Sequence, residues 1–157
     1  MKKLVLIVLA CTLISCGSSK VVRQAQSTVK GTWSLSSITY DRAGTYNITL
    51  LNDVSKDCFT TSKWQFIPND YKGHYSIING NCDTGDRYFK YDIQEVDETT
   101  GLYDFLLKPT DEKYNSETNQ GFRLKLVELS ETSMQWEQTV NLEGNPFTIN
   151  MNFTKLD

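Results

Sequence analysis

From Lys30 to the end of the chain, apolar and polar residues alternate in short runs broken by turn-forming clusters, the pattern of an all-β chain. Gly31 to Tyr40 opens it, with Trp33, Leu35 and Ser37 spaced to share one face. Tyr46 to Asp57 is less regular, and Leu50-Leu51-Asn52-Asp53-Val54 reads as a short helical turn. Ser62 to Pro68 places Trp64 and Phe66 on one side and is turned by Asn69-Asp70-Tyr71-Lys72-Gly73. His74 to Asn79 sets Tyr75 and Ile77 against His74 and Ser76, and the Asn-, Asp- and Gly-rich stretch from Asn79 to Gly85 predicts a turn. Arg87 to Val96 alternates Phe89, Tyr91 and Ile93; Asp97 to Gly101 turns it into Leu102 to Lys108. A longer polar loop spans Pro109 to Gln120. Phe122, Leu124 and Leu126 mark one strand, and Met134, Trp136, Gln138, Val140 and Leu142 the next. Glu143-Gly144-Asn145 then turns into Phe147, Ile149, Met151 and Phe153, the cleanest alternation in the chain.

These are about eight strands with hairpin-length connections and no long helix, so neighbours must be antiparallel; a parallel pair needs a crossover of about a dozen residues or more. One apolar face per strand implies a sandwich or a barrel, and eight strands can close into a barrel, which removes exposed edges. The expected fold is therefore all-β: an antiparallel eight-stranded barrel over residues 30–157, as one domain. Such a barrel is either filled by its own side chains or just wide enough for one small ligand. Trp33, Trp64, Phe66, Phe89, Phe105, Phe122, Trp136, Phe147 and Phe153 are candidates for the interior, and the pattern leaves both outcomes open.

The first residues have a different character. Lys2 and Lys3, an apolar run from Leu4 to Ala10, and then Leu13-Ile14-Ser15-Cys16 have the layout of a secretion signal. The apolar run is far short of the roughly 20 residues that a transmembrane helix needs. Leu13-Ile14-Ser15-Cys16 resembles the lipobox of bacterial lipoproteins. That resemblance implies cleavage before Cys16, a diacylglycerol on its sulfur and a further acyl chain on the new amino terminus. Several acyl chains make an effectively permanent anchor where one would not. Residues 1–15 are then signal peptide, and residues 16–29 a lipidated amino terminus and flexible tether lifting the barrel off the bilayer. A transmembrane barrel is not expected, since it would lack an acylated amino terminus and need longer lipid-facing strands.

Removing the signal also settles the cysteine arithmetic. Cys11 leaves with the peptide and Cys16 takes the lipid, so Cys58 and Cys82 remain in an oxidising compartment, where one disulfide is expected. Closing a loop of about 25 residues is worth roughly 3–4 kcal/mol in the chain-entropy model. A metal site or reactive thiol pair is the competing reading, but it lacks a CxxC spacing and a second histidine beside His74. The chain has 16 basic and 19 acidic residues, and losing Lys2 and Lys3 makes its formal charge of −3 still more negative. That balance offers no footprint for nucleic acid and no polybasic grip on anionic lipid.

Lys30-Gly31-Thr32-Trp33 is similar to the Gly-x-Trp motif that opens the lipocalin barrel. Asp57-Cys58, Trp64-Gln65-Phe66, Gly73 and Cys82 extend the likeness to the lipocalin-like lipoproteins common in the Bacteroidetes, over most of residues 30 to 155. Lipocalins usually stack an arginine on the first-strand tryptophan, and Arg123 or Lys125 is the candidate here. The resemblance implies a binding barrel for a small hydrophobic molecule, not an enzyme; a monomer without cofactor is expected. Trp33, Trp64, Phe66, Tyr75 and Trp136 are the residues that could line such a site, although aromatic residues at this spacing more often form barrel core.

The remaining candidates for chemistry are weak. Asn79, Asn81, Asp83 and Asp86 alternate acceptors as a calcium loop does, but without its glycine and terminal glutamate, and a turn pinned by Cys82 explains them. No Gly-x-Ser-x-Gly elbow, phosphate loop or HExxH occurs. Two functions remain: a ligand-binding barrel, or a filled barrel whose loops at 41–57 and 109–120 contact an envelope partner. Gly17 after the lipidated cysteine differs from the aspartate of an inner-membrane retention signal, and Gly17-Ser18-Ser19-Lys20 lacks the acidic residues typical of surface export. Both point to the outer membrane, periplasmic face.

Overall fold

A computed structural model describes residues 19–97, 99, 102–116, 118 and 120–157. The signal segment, the lipidation residue Cys16, Gly17 and Ser18 lie outside the described residues, as do Glu98, Thr100 and Gly101 of the expected turn and Glu117 and Asn119 of the polar loop. The first element is a helix, α1 (Lys20–Val29), capped by Ser19, whose Oγ accepts the Val22 N–H at 3.1 Å. Its buried residues Val22, Ala25, Thr28 and Val29 form a stripe at helical spacing that packs across one end of the barrel. The tether expected over residues 17–29 is therefore corrected for 20–29. Three small apolar residues among Arg23, Gln24, Gln26 and Ser27 are too sparse to advertise a helix, yet they suffice once a barrel end is there to receive them.

The barrel strands are β1 (Gly31–Tyr40), β4 (Lys63–Ile67), β5 (Lys72–Ile77), β6 (Gly85–Asp97), β7 (Leu102–Thr110), β8 (Phe122–Leu129), β9 (Ser133–Leu142) and β10 (Asn145–Lys155). Between β1 and β4 come the short hairpin β2 (Thr49–Leu50) and β3 (Val54–Ser55) and the single-turn helix α2 (Lys56–Phe59). The eight barrel strands close in the order β1-β10-β9-β8-β7-β6-β5-β4, antiparallel throughout. Closure is completed by β4 returning to β1, with Trp33 opposite Trp64. This is the fold the alternation predicts, because eight half-apolar strands bury every apolar face only by curling round on one another.

Two local features depart from simple alternation. A bulge between Leu35 and Ser37 shifts the register of β1 by one residue, so Ile38, 3% exposed, takes the inward place expected for Ser37. The stretch 50–54 forms the β2–β3 hairpin turn in place of a helical turn, with the Asp53 N–H bonded to the Leu50 carbonyl at 2.9 Å. Gly73 lies within β5 and not in the preceding turn. It sits opposite Phe89, and a Cβ there would come within 2.5 Å of that ring and of the Gln65 carbonyl. Only glycine lets the ring lie flat against the strand.

The lumen is filled at its middle. Trp64 stacks on Tyr75 at 4.3 Å between ring centroids and meets Trp136 edge-on at 5.3 Å. Trp136 packs against Phe105 and Phe153, both at 4.6 Å, and Phe66 closes on Phe89 and Tyr91. Trp64, Trp136, Phe89 and Phe105 are fully buried, so this cluster excludes water. Offset and edge-on ring pairs add about 0.5–1.5 kcal/mol each beyond the area they bury.

Trp33 is turned to the closed end. Its Nε1 donates to the Val29 carbonyl at 2.8 Å, joining α1 to the barrel. Lys155, from the end of β10, lies 5.1 Å from the Trp33 ring centroid and donates to the Thr28 carbonyl at 3.0 Å. The cation on the first-strand tryptophan is thus Lys155; Arg123 pairs with Asp104 instead, and Lys125 is exposed.

Candidate functional site

The end of the barrel opposite α1 is built differently. Here β1 is followed by a long excursion, residues 41–62, that folds over the rim. Phe59 of α2 is fully buried against Trp64 and Tyr75, at 5.9 and 5.3 Å between centroids. Beside it Cys58 is bonded to Cys82, with Cα atoms 5.8 Å apart, so the excursion is tied covalently to the β5–β6 connection. The hairpin turn places Leu51 and Asn52 at φ of 49° and 56°. A leucine in the left-handed region is strained, and Leu51 is held there by burial, being 5% exposed.

Facing this hairpin across the mouth is the 111–121 connection. Asp111 organises its start: Oδ1 accepts the N–H groups of Lys113 and Asn115 at 2.9 and 2.6 Å. The Asn115 N–H, first among these bonds, holds the Asp111 carboxyl below its ordinary range. Between hairpin and connection lies a cavity of about 550 Å³. Part of its wall is apolar, from Phe89, Leu107, Pro109 and Phe122; Asp53, Tyr75 and Arg87 present polar atoms on the hairpin side, and Asp111, Glu112, Thr118 and Gln120 line the side of the 111–121 connection. That volume falls within the range of small-molecule sites, which pair mostly apolar walls with a few fixed polar groups.

Those polar groups form one network. The Tyr75 hydroxyl donates to Asp53 Oδ2 at 2.9 Å, Arg87 Nε donates to Asp53 Oδ1 at 3.3 Å, and the Arg87 guanidinium reaches Asp83 Oδ2 at 2.7 Å. Burial first, and the Asp53 carboxylate second, push the Tyr75 phenol far above its ordinary range, so it remains a hydrogen-bond donor at neutral pH. Asp53 and Arg87 are themselves about four-fifths covered. The network both pins the hairpin to the barrel wall and sets a fixed polar edge beside the pocket's apolar wall.

Of the five residues expected from the sequence to line a ligand site, Tyr75 alone lines this pocket. Trp64 stands directly behind it, Phe66 and Trp136 lie deeper in the filled lumen, and Trp33 belongs to the closed end. Phe89 and Phe122, expected in the interior, form pocket wall. Asp53, Arg87 and Leu107 were missed. One signal was available: Arg87 falls on the same alternation as Phe89, Tyr91 and Ile93, and a charge in phase with an inward-facing apolar row marks a polar position at a barrel mouth. Asn79–Thr84 is turn, where Asn79 Oδ1 accepts the Asn81 N–H and Asp83 holds Arg87, whereas Asp86 already belongs to β6 and accepts from Ser76 opposite it. His74 lies on the outer face against Tyr88.

A closed eight-stranded antiparallel barrel, sealed at one end by an amino-terminal helix and open to a pocket at the other, defines a lipocalin-like protein. Residues 29–136 match the family described as the lipocalin-like domain, and the chain belongs to that family. Among solved structures it is similar to a lipocalin-like protein from Bacteroides uniformis, at 12% identity and a TM-score of 0.51 over 82% of this chain and 99% of that one. At this identity the likeness concerns the fold alone. No curated protein matches the chain.

Proposed function

We propose that this protein is a lipid-anchored envelope lipoprotein whose barrel mouth binds one small, largely apolar molecule. The observation that carries the ligand reading is the pocket of about 550 Å³, with Phe89, Leu107 and Phe122 as its wall and the Tyr75–Asp53–Arg87 network at its edge. The lipobox-like Leu13-Ile14-Ser15-Cys16 supports the anchor, with Cys16 as the acylated residue and the periplasmic face of the outer membrane as the location. The ligand seats above the aromatic cluster, not within it, so it is shallow and has one polar group near Arg87 and the Tyr75 hydroxyl. Binding without chemistry is the role assigned: the polar network is engaged with itself and offers no free nucleophile.

Native mass spectrometry of protein purified from its envelope, together with titration of the apolar fluorophore N-phenyl-1-naphthylamine, tests the ligand reading. We expect a co-purifying small molecule, saturable fluorophore binding, and loss of at least tenfold in affinity for Pro109→Trp, which fills the mouth. Fluorophore binding that is unsaturable, or unchanged by Pro109→Trp, overturns it. The filled lumen favours a second reading, in which the 41–57 and 111–121 segments around the mouth contact an envelope protein; in-cell crosslinking from both segments that traps no partner counts against it.

A further inference from the structure

We infer that the helix-capped end of the barrel rests on the bilayer, so that the pocket opens away from the membrane that holds the protein. The inference rests on the proposed acylation of Cys16 and on two independent observations. First, the leash is short. Because α1 begins at Lys20 and is capped by Ser19, only the steps from Cys16 to Ser19 separate the lipid from folded structure, a reach of about 10 Å at full extension. The helix start is fastened as well: the Ser19 hydroxyl is hydrogen-bonded to the Glu95 carboxylate, at the closed-end rim of β6. The anchor point therefore lies at the closed end and cannot wander from it.

Second, exposed apolar side chains collect at that same end. Val21 on α1, Ile67 at the end of β4, Tyr71 before β5, Val96 at the end of β6 and Leu156 after β10 are 37–60% exposed. Only Ile78, among the large exposed apolar side chains of the described residues, lies toward the mouth. Val21 sits on the helix and the other four lie at or beside strand ends, so all five are at the closed end. Such a group of side chains, at the end where the acyl chains attach, fits the headgroup boundary of the bilayer: apolar tips enter it shallowly while the acyl chains supply the affinity. The net negative charge is no obstacle, since the contact needs no polybasic patch. Strands of the length of β10, tilted as barrels require, then put the mouth roughly 25–30 Å farther out. Ligand would be exchanged with the aqueous phase or an opposing partner, and not drawn from the host leaflet.

The test uses the full acylated chain in phosphatidylethanolamine–phosphatidylglycerol vesicles, with nitroxides on Val96→Cys, Leu156→Cys and, at the mouth, Asn145→Cys. Collision of each label with oxygen and with a water-soluble nickel chelate reports its depth. The expected result is nickel accessibility reduced at least threefold for Val96→Cys and Leu156→Cys and unreduced for Asn145→Cys. A combined Val21→Ser and Tyr71→Ser background, which touches only exposed positions, should bring the two ends closer together. Intact mass separates the failures. A chain carrying no acyl groups at Cys16 overturns the anchoring reading and this inference with it. An acylated chain whose labels are equally accessible, or whose mouth label is the protected one, overturns the orientation alone.

Discussion

The two ends of this barrel solve opposite problems with the same strands. At the closed end α1 lays Val22, Ala25 and Val29 onto the rim, and Trp33 and Lys155 fasten its last carbonyls. Apolar contact and bonds to backbone carbonyls dominate there, with the Ser19 hydroxyl bonded to the Glu95 carboxylate at the helix start, and the end is sealed. At the mouth a disulfide, a strained hairpin and the Asp53–Tyr75–Arg87 network hold the covering segment at the side, leaving space between it and the 111–121 connection. Apolar packing is short-ranged and fills whatever it covers; a polar tie fixes distance without filling volume. The pocket exists because its cover is packed through Leu51 and Phe59 on one side only, and is tied there by the disulfide and the polar network.

That contrast can be broken at several points. The largest effect is expected between the two ends: Trp64→Ala removes the ring that touches Phe59, Tyr75, Phe89, Trp136 and Phe153, and should cost about 3–5 kcal/mol by urea denaturation. A loss under about 1 kcal/mol would mean that the aromatic cluster does not carry the core. Next, replacing Cys58 and Cys82 together by alanine should cost roughly 2–4 kcal/mol and weaken fluorophore binding, since the bond holds the mouth cover. At the closed end, Val29→Ala should cost about 1.5–3 kcal/mol while leaving fluorophore affinity unchanged. A change in affinity there would show that the two ends are coupled.

Smaller effects probe the polar tie. Asp53→Asn should cost about 1 kcal/mol, because both groups are partly solvated and Arg87 keeps Asp83, but it should alter fluorophore affinity several-fold by freeing the hairpin. The least effect at neutral pH concerns Tyr75 and Tyr91, whose phenols are pushed up in the folded state, first by burial. Their contribution is fully present below the ordinary tyrosine pKa of about 10 and is lost as pH climbs from there toward the folded-state values, because the unfolded chain gives up the protons first. Denaturant midpoints should therefore be flat in this respect up to about pH 10 and fall above it; Tyr75→Phe should lessen the fall.

Legibility followed the range of the forces involved. Period-2 runs such as Phe147, Ile149, Met151 and Phe153 announced β10 because each strand needs only its own two faces to be recognised. The pairing of Cys58 with Cys82 was legible because few cysteines remained once the leader was set aside. The bulge at Ser36 was not, since it depends on how β1 must bend between β10 and β4. Helix α1 is not legible in the sequence because three small apolar residues acquire meaning only against the barrel end. Arg87 stood in plain sight on the inward row of β6, but its partner Asp53 lies in an irregular segment 34 residues earlier.

By itself, then, the sequence determined an antiparallel β-barrel and its covalent tie, both of them consequences of local period and residue chemistry. Only the tertiary structure decided that the lumen is full at its centre, that the supposed tether is a helix sealing one end, and that an open pocket survives at the other. Those outcomes turn on which side chains from distant strands reach the same volume first, and no local pattern encodes that.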